Sequence, residues 1–265
     1  MKNMFSILFT MMLIILFSGC GGNNDEKAEL KYGIEKFERK SKICDSTRCA
    51  KIVLEYPVIK TAFNNAVKDS LENFIQDALL ENYFNERKTN SLEEMSKLFL
   101  ADYESVQDEP IDYSLGWEIN NAISVIHNKN SIVSFQSEFY HFTGGAHGMS
   151  GVYFANFNSQ TGEKLELSDL LIPGYENELN NTAEKIFRAE KQLSPDANLE
   201  SEGFWFEGNK FYLNKNFGIK NDGLVFYFNS YEIAPYAMGP TEIKIPYATI
   251  KKLVLNDGPL SKMPM

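Results

Sequence analysis

The chain has 265 residues, with 26 basic and 36 acidic side chains, a net charge of −10 and 43% hydrophobic residues. That length holds one large domain or two small ones. The acidic balance argues against nucleic acid and against unaided adhesion to anionic lipid, and it favours cationic partners.

The N-terminus reads MKNMFSILFTMMLIILFSGC, with Lys2 followed by an uncharged run from Met4 to Phe17. At about 14 residues the run suits a signal-peptide core and falls short of the ~20 that a spanning helix needs. Ser18 and Gly19 before Cys20 resemble the bacterial lipoprotein processing site, although Phe17 stands where leucine is usual and Leu16 lies one place earlier. Residues 1–19 are therefore expected to be a lipoprotein signal peptide, and residues 20–40 the lipidated Cys20 and a polar tether. The protein would then sit in the bacterial cell envelope, anchored to the membrane by the two or more acyl chains that firm attachment requires. The alternative is an ordinary secretory signal with an incidental cysteine. Loss of Lys2 takes the 26 basic residues to 25 against 36 acidic, a mature net charge of −11. The remaining cysteines, Cys44 and Cys49, form an isolated C-x4-C, which outside the cytoplasm reads as a disulfide. A zinc half-site is the alternative, and it lacks a second Cys or His pair at ligand spacing.

CAKIVLEYPVI alternates apolar residues and predicts a strand ending at Pro57. Ala62, Phe63, Ala66, Val67, Leu71, Phe74, Ile75, Ala78 and Leu79 then recur at helical spacing. A second helix is expected from Ser91, with Glu94 completing a capping box, through Leu98 and Phe99. ADYESVQDEPID collects Asp102, Glu104, Asp108, Glu109 and Asp112 without a base, and reads as a solvated acidic linker or, alternatively, a docking site. Strands follow. GWEINNAISVIH sends Trp117, Ile119, Ile123 and Val125 to one face, and NKN turns it into SIVSFQSEFYHF. In that strand Val133, Phe135, Phe139 and His141 lie opposite Gln136, Glu138 and Tyr140. GVYFANFN is a third strand, and Leu179, Ala183, Ile186 and Phe187 mark a third helix. The tail holds FWFEGNKFYLNKNFGI, the turn KNDG, the strands LVFYFN and TEIKIPY, and a short closing helix at ATIKKLV. Hairpins dominate after residue 115, so the fold class is α+β: an antiparallel sheet packed with two to three helices, mainly N-terminal, one inserted between strands. Residues 41–110 form a strand-helix-helix part and 111–265 a mainly antiparallel-sheet part, with one compact domain over 41–265 as the alternative.

Two loops hold the candidate ligand-binding residues. HFTGGAHGMSG contributes Gly144, Gly145 and His147, where glycines supply positive φ or close backbone approach in a wide connection between strands. The loop is either architecture, a ligand contact or a metal site. Two histidines five residues apart have no third ligand nearby, and there is no H-E-x-x-H. NSYEIAPYAMGP contributes Tyr231, Tyr236 and Met238 between Pro235 and Pro240, which stiffen the backbone and lower the entropy lost on binding. These side chains either face a ligand or pack back on the sheet. No G-x-S-x-G elbow is present, and no pair of carboxylates stands out. No catalytic residue, metal site or cofactor is expected.

YPVI before a long helix, TGGAHG, FNSQTGEKLELSDLL and GLVFYFNSYEIAPYAMGPTEIKIPY form an ordered series over residues 50 to 255. The series resembles the extracellular module shared by RsiV-type lysozyme-sensing anti-sigma factors and by the region preceding the catalytic domain of PdaC-type peptidoglycan deacetylases. The sequence shows neither the sigma-binding segment and membrane span of the first group nor the metal-dependent hydrolase domain of the second. The resemblance implies recognition at the cell envelope, with lysozyme or cell-wall glycan as the class of ligand. Together with the mature charge of −11 and Cys20, the expectation is a non-enzymatic envelope lipoprotein that binds lysozyme or another cationic protein. A peptidoglycan- or polysaccharide-binding module is the alternative, and a metal-dependent hydrolase using His147 ranks third.

Overall fold

The computed structural model describes residues 30–46, 48–80, 89–106 and 116–264. The signal peptide, Cys20 and the first part of the tether lie outside these residues, as do Asp108, Glu109 and Asp112. The described residues form one five-stranded sheet in the order β1-β2-β3-β4-β5 and one three-stranded sheet in the order β6-β7-β8.

The first sheet begins earlier than expected. Residues 31–40, assigned above to the tether, belong to β1 (Lys31–Cys44), which pairs antiparallel with β2 (Cys49–Thr61). Only Phe37 and Ser41 are buried along β1, and most of the remaining positions are lysine, arginine or glutamate, with Tyr32, Ile34 and Ile43 exposed among them, a largely charged edge that discourages pairing with another strand. Cys44 and Cys49 face each other across the hairpin end and are disulfide-bonded, which settles the zinc alternative. Pro57 does not end β2. It lies just beyond the stretch paired with β3 (Glu118–Lys129), where a missing N–H leaves no gap in that ladder.

The connection from β2 to β3 carries α1 (Asn65–Leu80) and α2 (Leu92–Ser105). A crossover of that length returns the chain in the same direction, so β2 and β3 are parallel and the sheet is mixed, not purely antiparallel. The Asn64 side chain caps α1 by accepting from the Val67 N–H at 2.9 Å. Val67, Leu71, Ile75 and Leu79 point one stripe into the core, as their spacing predicted. Ser91 caps α2 by accepting from the Glu94 N–H, and the Glu94 carboxylate reaches back to the Asn90 N–H, one residue before the cap. Asp102 and Glu104 lie on α2 and not in a linker.

β4 (Ile132–Phe142) and β5 (Met149–Asn158) complete the sheet by antiparallel pairing. One face packs on the helices: Phe74 of α1 lies 5.4 Å from Phe135 and 5.2 Å from Phe157, and Phe99 and Tyr103 of α2 flank Trp117. A second core gathers Leu179, Ala183 and Phe187 of α3 (Glu176–Glu190), the strands β6 (Phe217–Ile219), β7 (Gly223–Phe228) and β8 (Thr241–Pro246), and Phe204, Phe206 and Phe211 from the preceding loop. The stretch FWFEGNKFYLNKNFGI is therefore core-forming but strand only at its end. α4 (Tyr247–Ile250) and a 3-10 turn at Lys251–Leu253 close it.

Candidate functional site

The two cores meet along the outer edge of β5, and side-chain amides make the join. Asn229 accepts from the Val152 N–H at 2.8 Å and donates to the Val152 carbonyl at 3.2 Å. Asn216 accepts from the Phe154 N–H at 3.0 Å and donates to the Val152 carbonyl at 2.8 Å. Asn156 donates to the Phe217 carbonyl and accepts from the Ile219 N–H. These amides occupy donors and acceptors that an open strand edge would otherwise present to another chain. Gly151 makes the close approach possible, because a Cβ there would fall 2.5 Å from the Phe139 ring and 3.2 Å from Asn229 Oδ1.

The join brings the two candidate loops together. Gly144 (φ 100°) and Gly145 (φ 89°) take the left-handed conformations that the glycine-rich sequence predicts, and they carry the chain to an exposed His147. The His147 ring stacks on Tyr236 at 4.4 Å between centroids and 15° between planes. Tyr231 lies 5.5 Å from Tyr236 at 30°. Residues from two distant parts of the sequence thus form one column of three rings, with Tyr231 56% and Tyr236 41% exposed. Packing back onto the sheet holds for Ile233 and Ala234, which are buried, but not for Tyr231, Tyr236 and Met238.

Local bonds fix the column. His147 Nδ1 lies 3.0 Å from the Gly148 carbonyl, which can only accept, so Nδ1 carries the proton and Nε2 is left without a hydrogen-bond partner among the described residues. Glu232 accepts from the Asn229 N–H at 2.8 Å and from Asn214 Nδ2 at 2.6 Å, tying the tyrosine loop to its base. Tyr231 itself sits at φ 68°, a left-handed conformation unusual for a bulky residue. A third loop, missed by the sequence reading, borders the column. The Trp205 N–H donates to the Ile233 carbonyl at 2.8 Å, the Met238 sulfur lies over Gly203, and the Trp205 side chain is half exposed. Its signal was present in ESEGFWFEG, where a tryptophan stands between acids and glycines. Within residues 142–151, 196–209 and 229–240 the acids are Asp196, Glu200, Glu202, Glu207 and Glu232; the nearest bases are Lys210, which follows Asn209, and Arg188, which donates to the Ala197 carbonyl at 2.9 Å.

The other histidines are structural. His141 is buried, 2.9 Å from Asn121 Oδ1, as its place on the apolar face of β4 predicts. His127 is buried at a bulge in β3, with Nδ1 3.0 Å from Asn221 Oδ1 and Nε2 3.1 Å from the Lys129 carbonyl, and burial pushes its pKa below the ordinary 6.5. Among the described residues no cluster of three or more His, Cys, Asp or Glu has metal-binding geometry, and no helix is long and apolar enough to cross a membrane.

Comparison with known proteins follows the same division. The family model described as deacetylase PdaC matches residues 43–150, and the one described as a protein of unknown function, DUF3298, matches residues 168–248. A DUF3298 family crystal structure from Bacteroides fragilis superposes with a TM-score of 0.69 at 23% identity, covering 85% of this chain and 94% of that one. One from Pseudomonas aeruginosa gives 0.66 at 24%, covering 86% and 96%. The immunogenic proteins MPB64 of Mycobacterium bovis and MPT64 of Mycobacterium tuberculosis are 40% identical over 62 residues, so the chain spans 23% of the length of these curated relatives. His147 lies in the first matched segment and Tyr231, Tyr236 and Met238 in the second. The two family models thus match successive segments, PdaC before DUF3298, consistent with the RsiV- and PdaC-type extracellular module that the sequence resembles.

Proposed function

We propose that the protein is a non-catalytic recognition module of the cell envelope, held to the membrane through Cys20, whose three-loop surface binds a cationic protein. The observation that carries the reading is the exposed ring cluster of His147, Tyr236 and Tyr231 on a chain with 36 acidic against 26 basic side chains. Exposed tyrosine and tryptophan on stiffened loops are the anchors from which protein interfaces draw most of their energy, and a net charge of one sign speeds encounter with the opposite sign. Lysozyme is the probe of choice, because the sequence resembles lysozyme-sensing proteins.

Titration of the purified protein against lysozyme at low and moderate salt tests the reading. Binding should weaken as salt rises, and Tyr236→Ala should weaken it at least about tenfold at either salt, the scale of one interface hot spot. Absence of binding at both salts would discard the reading. The half-exposed Trp205, whose backbone N–H donates to Ile233 of the tyrosine loop, favours a second one, stacking on the sugar rings of cell-wall glycan. Retention on insoluble peptidoglycan that is lost in Trp205→Ala would move the conclusion there.

A further inference from the structure

We infer that the ring column is a receptor for a guanidinium group, so that the partner engages it through an arginine side chain and not through lysine. The inference rests on the protein-recognition reading above and adds the chemistry of the contact. Three observations converge on it. The His147 ring stacks on Tyr236 at 4.4 Å and 15°, and Tyr231 leans on Tyr236 at 5.5 Å and 30°, so the exposed rings offer faces on which a flat group can lie. The chain carries 36 acidic against 26 basic side chains and Glu232 directly follows Tyr231, so charge favours a flat group that is a cation. His147 Nδ1 is engaged by the Gly148 carbonyl, and Nε2, with no partner among the described residues, can take an N–H from the edge of a planar donor.

A guanidinium is the side-chain group that is flat, cationic and rich in N–H donors, and it stacks on aromatic faces. An ammonium is compact and strongly hydrated, and gains little from a column of parallel rings. Tyr231 is the open end. It makes no ring contact other than Tyr236 among the described residues, and it is 56% exposed.

Tetra-arginine and tetra-lysine peptides, equal in charge, separate stacking from simple attraction. Each is titrated into the full chain at constant pH and ionic strength while the ring protons of the three histidines are followed by NMR, with buried His127 and His141 as internal references. Tetra-arginine should shift His147 alone and saturate at a concentration at least about tenfold lower than tetra-lysine, the preference expected where stacking adds to charge. Tyr231→Phe, which keeps the flat ring, should preserve the preference, and Tyr231→Ala should abolish it. Equal responses to the two peptides would overturn the guanidinium receptor even if lysozyme binds. Loss of all binding, lysozyme included, would remove the underlying reading as well.

Discussion

Tyr231 offers a test in which stability and recognition move apart. A non-glycine residue at φ 68° carries about 1–2 kcal/mol of strain from the clash of its Cβ with the backbone. Alanine at this position keeps the Cβ and loses the ring, which is in contact with Tyr236 on one side only and is worth about 0.5–1.5 kcal/mol. Glycine loses the same ring and also relieves the strain, against about 0.4–1 kcal/mol for the greater freedom of the unfolded chain. Tyr231→Gly should therefore be more stable than Tyr231→Ala by about 0.5–1 kcal/mol, which in a domain of this size is roughly 1–4 °C in thermal midpoint. Both variants should lose lysozyme binding to the same extent, since both lack the ring. The assay is paired thermal denaturation by circular dichroism with a binding titration of each variant. Equal midpoints, or an alanine variant more stable than the glycine one, would refute the claim that the loop holds Tyr231 under backbone strain.

Further outcomes follow from the rest of the molecule. His127 is neutral where buried and its folded pKa lies below the ordinary 6.5, so stability present above that pH is lost as pH falls below it and the unfolded chain takes up the proton. His127→Gln should flatten the fall in thermal midpoint between pH 7.5 and 5.5, and an unchanged slope would argue against the assignment. Asn229→Ala removes both bonds to Val152 and should cost about 1–3 kcal/mol, read as a lower urea midpoint, and should weaken lysozyme binding by loosening the seam beneath both loops. Replacing Cys44 and Cys49 together by serine should cost about 2 kcal/mol through the freed hairpin loop, with no effect on recognition, since the disulfide lies on the β1–β2 hairpin at the opposite edge of the sheet from β5. Phe187→Ala, which empties a ring contacting Phe204, Phe206 and Phe211, should cost about 3–5 kcal/mol.

The sequence made legible whatever is written in local periodicity. The stripe of α1, the cap at Ser91, the strand faces of β3 and β4 and the Cys44–Cys49 pair follow from neighbours a few residues apart. β1 was not legible, because an edge strand held by backbone pairing and lined with Lys36, Glu38, Lys40 and Lys42 has the composition of a tether. The parallel pairing of β2 and β3 depends on the path of two helices, which no residue pattern within either strand reports. The site shows the same limit. Gly144, Gly145, His147, Tyr231, Tyr236 and Met238 could each be picked out as unusual, yet nothing local states that His147 and Tyr236 touch. That contact is set by Asn229 and Glu232, polar residues whose partners lie elsewhere in the chain.

The amide clasp along β5 has a consequence for how such a protein can arise and be taken apart. One wall of the ring column is supplied by the segment before residue 150 and the other by the segment after residue 168, so a fragment that inherits either one keeps half of the column. Recombination that exchanged one segment for a distant cousin's would have to preserve the asparagines at the seam before it could preserve any affinity. The unit on which selection acts is thus the seam.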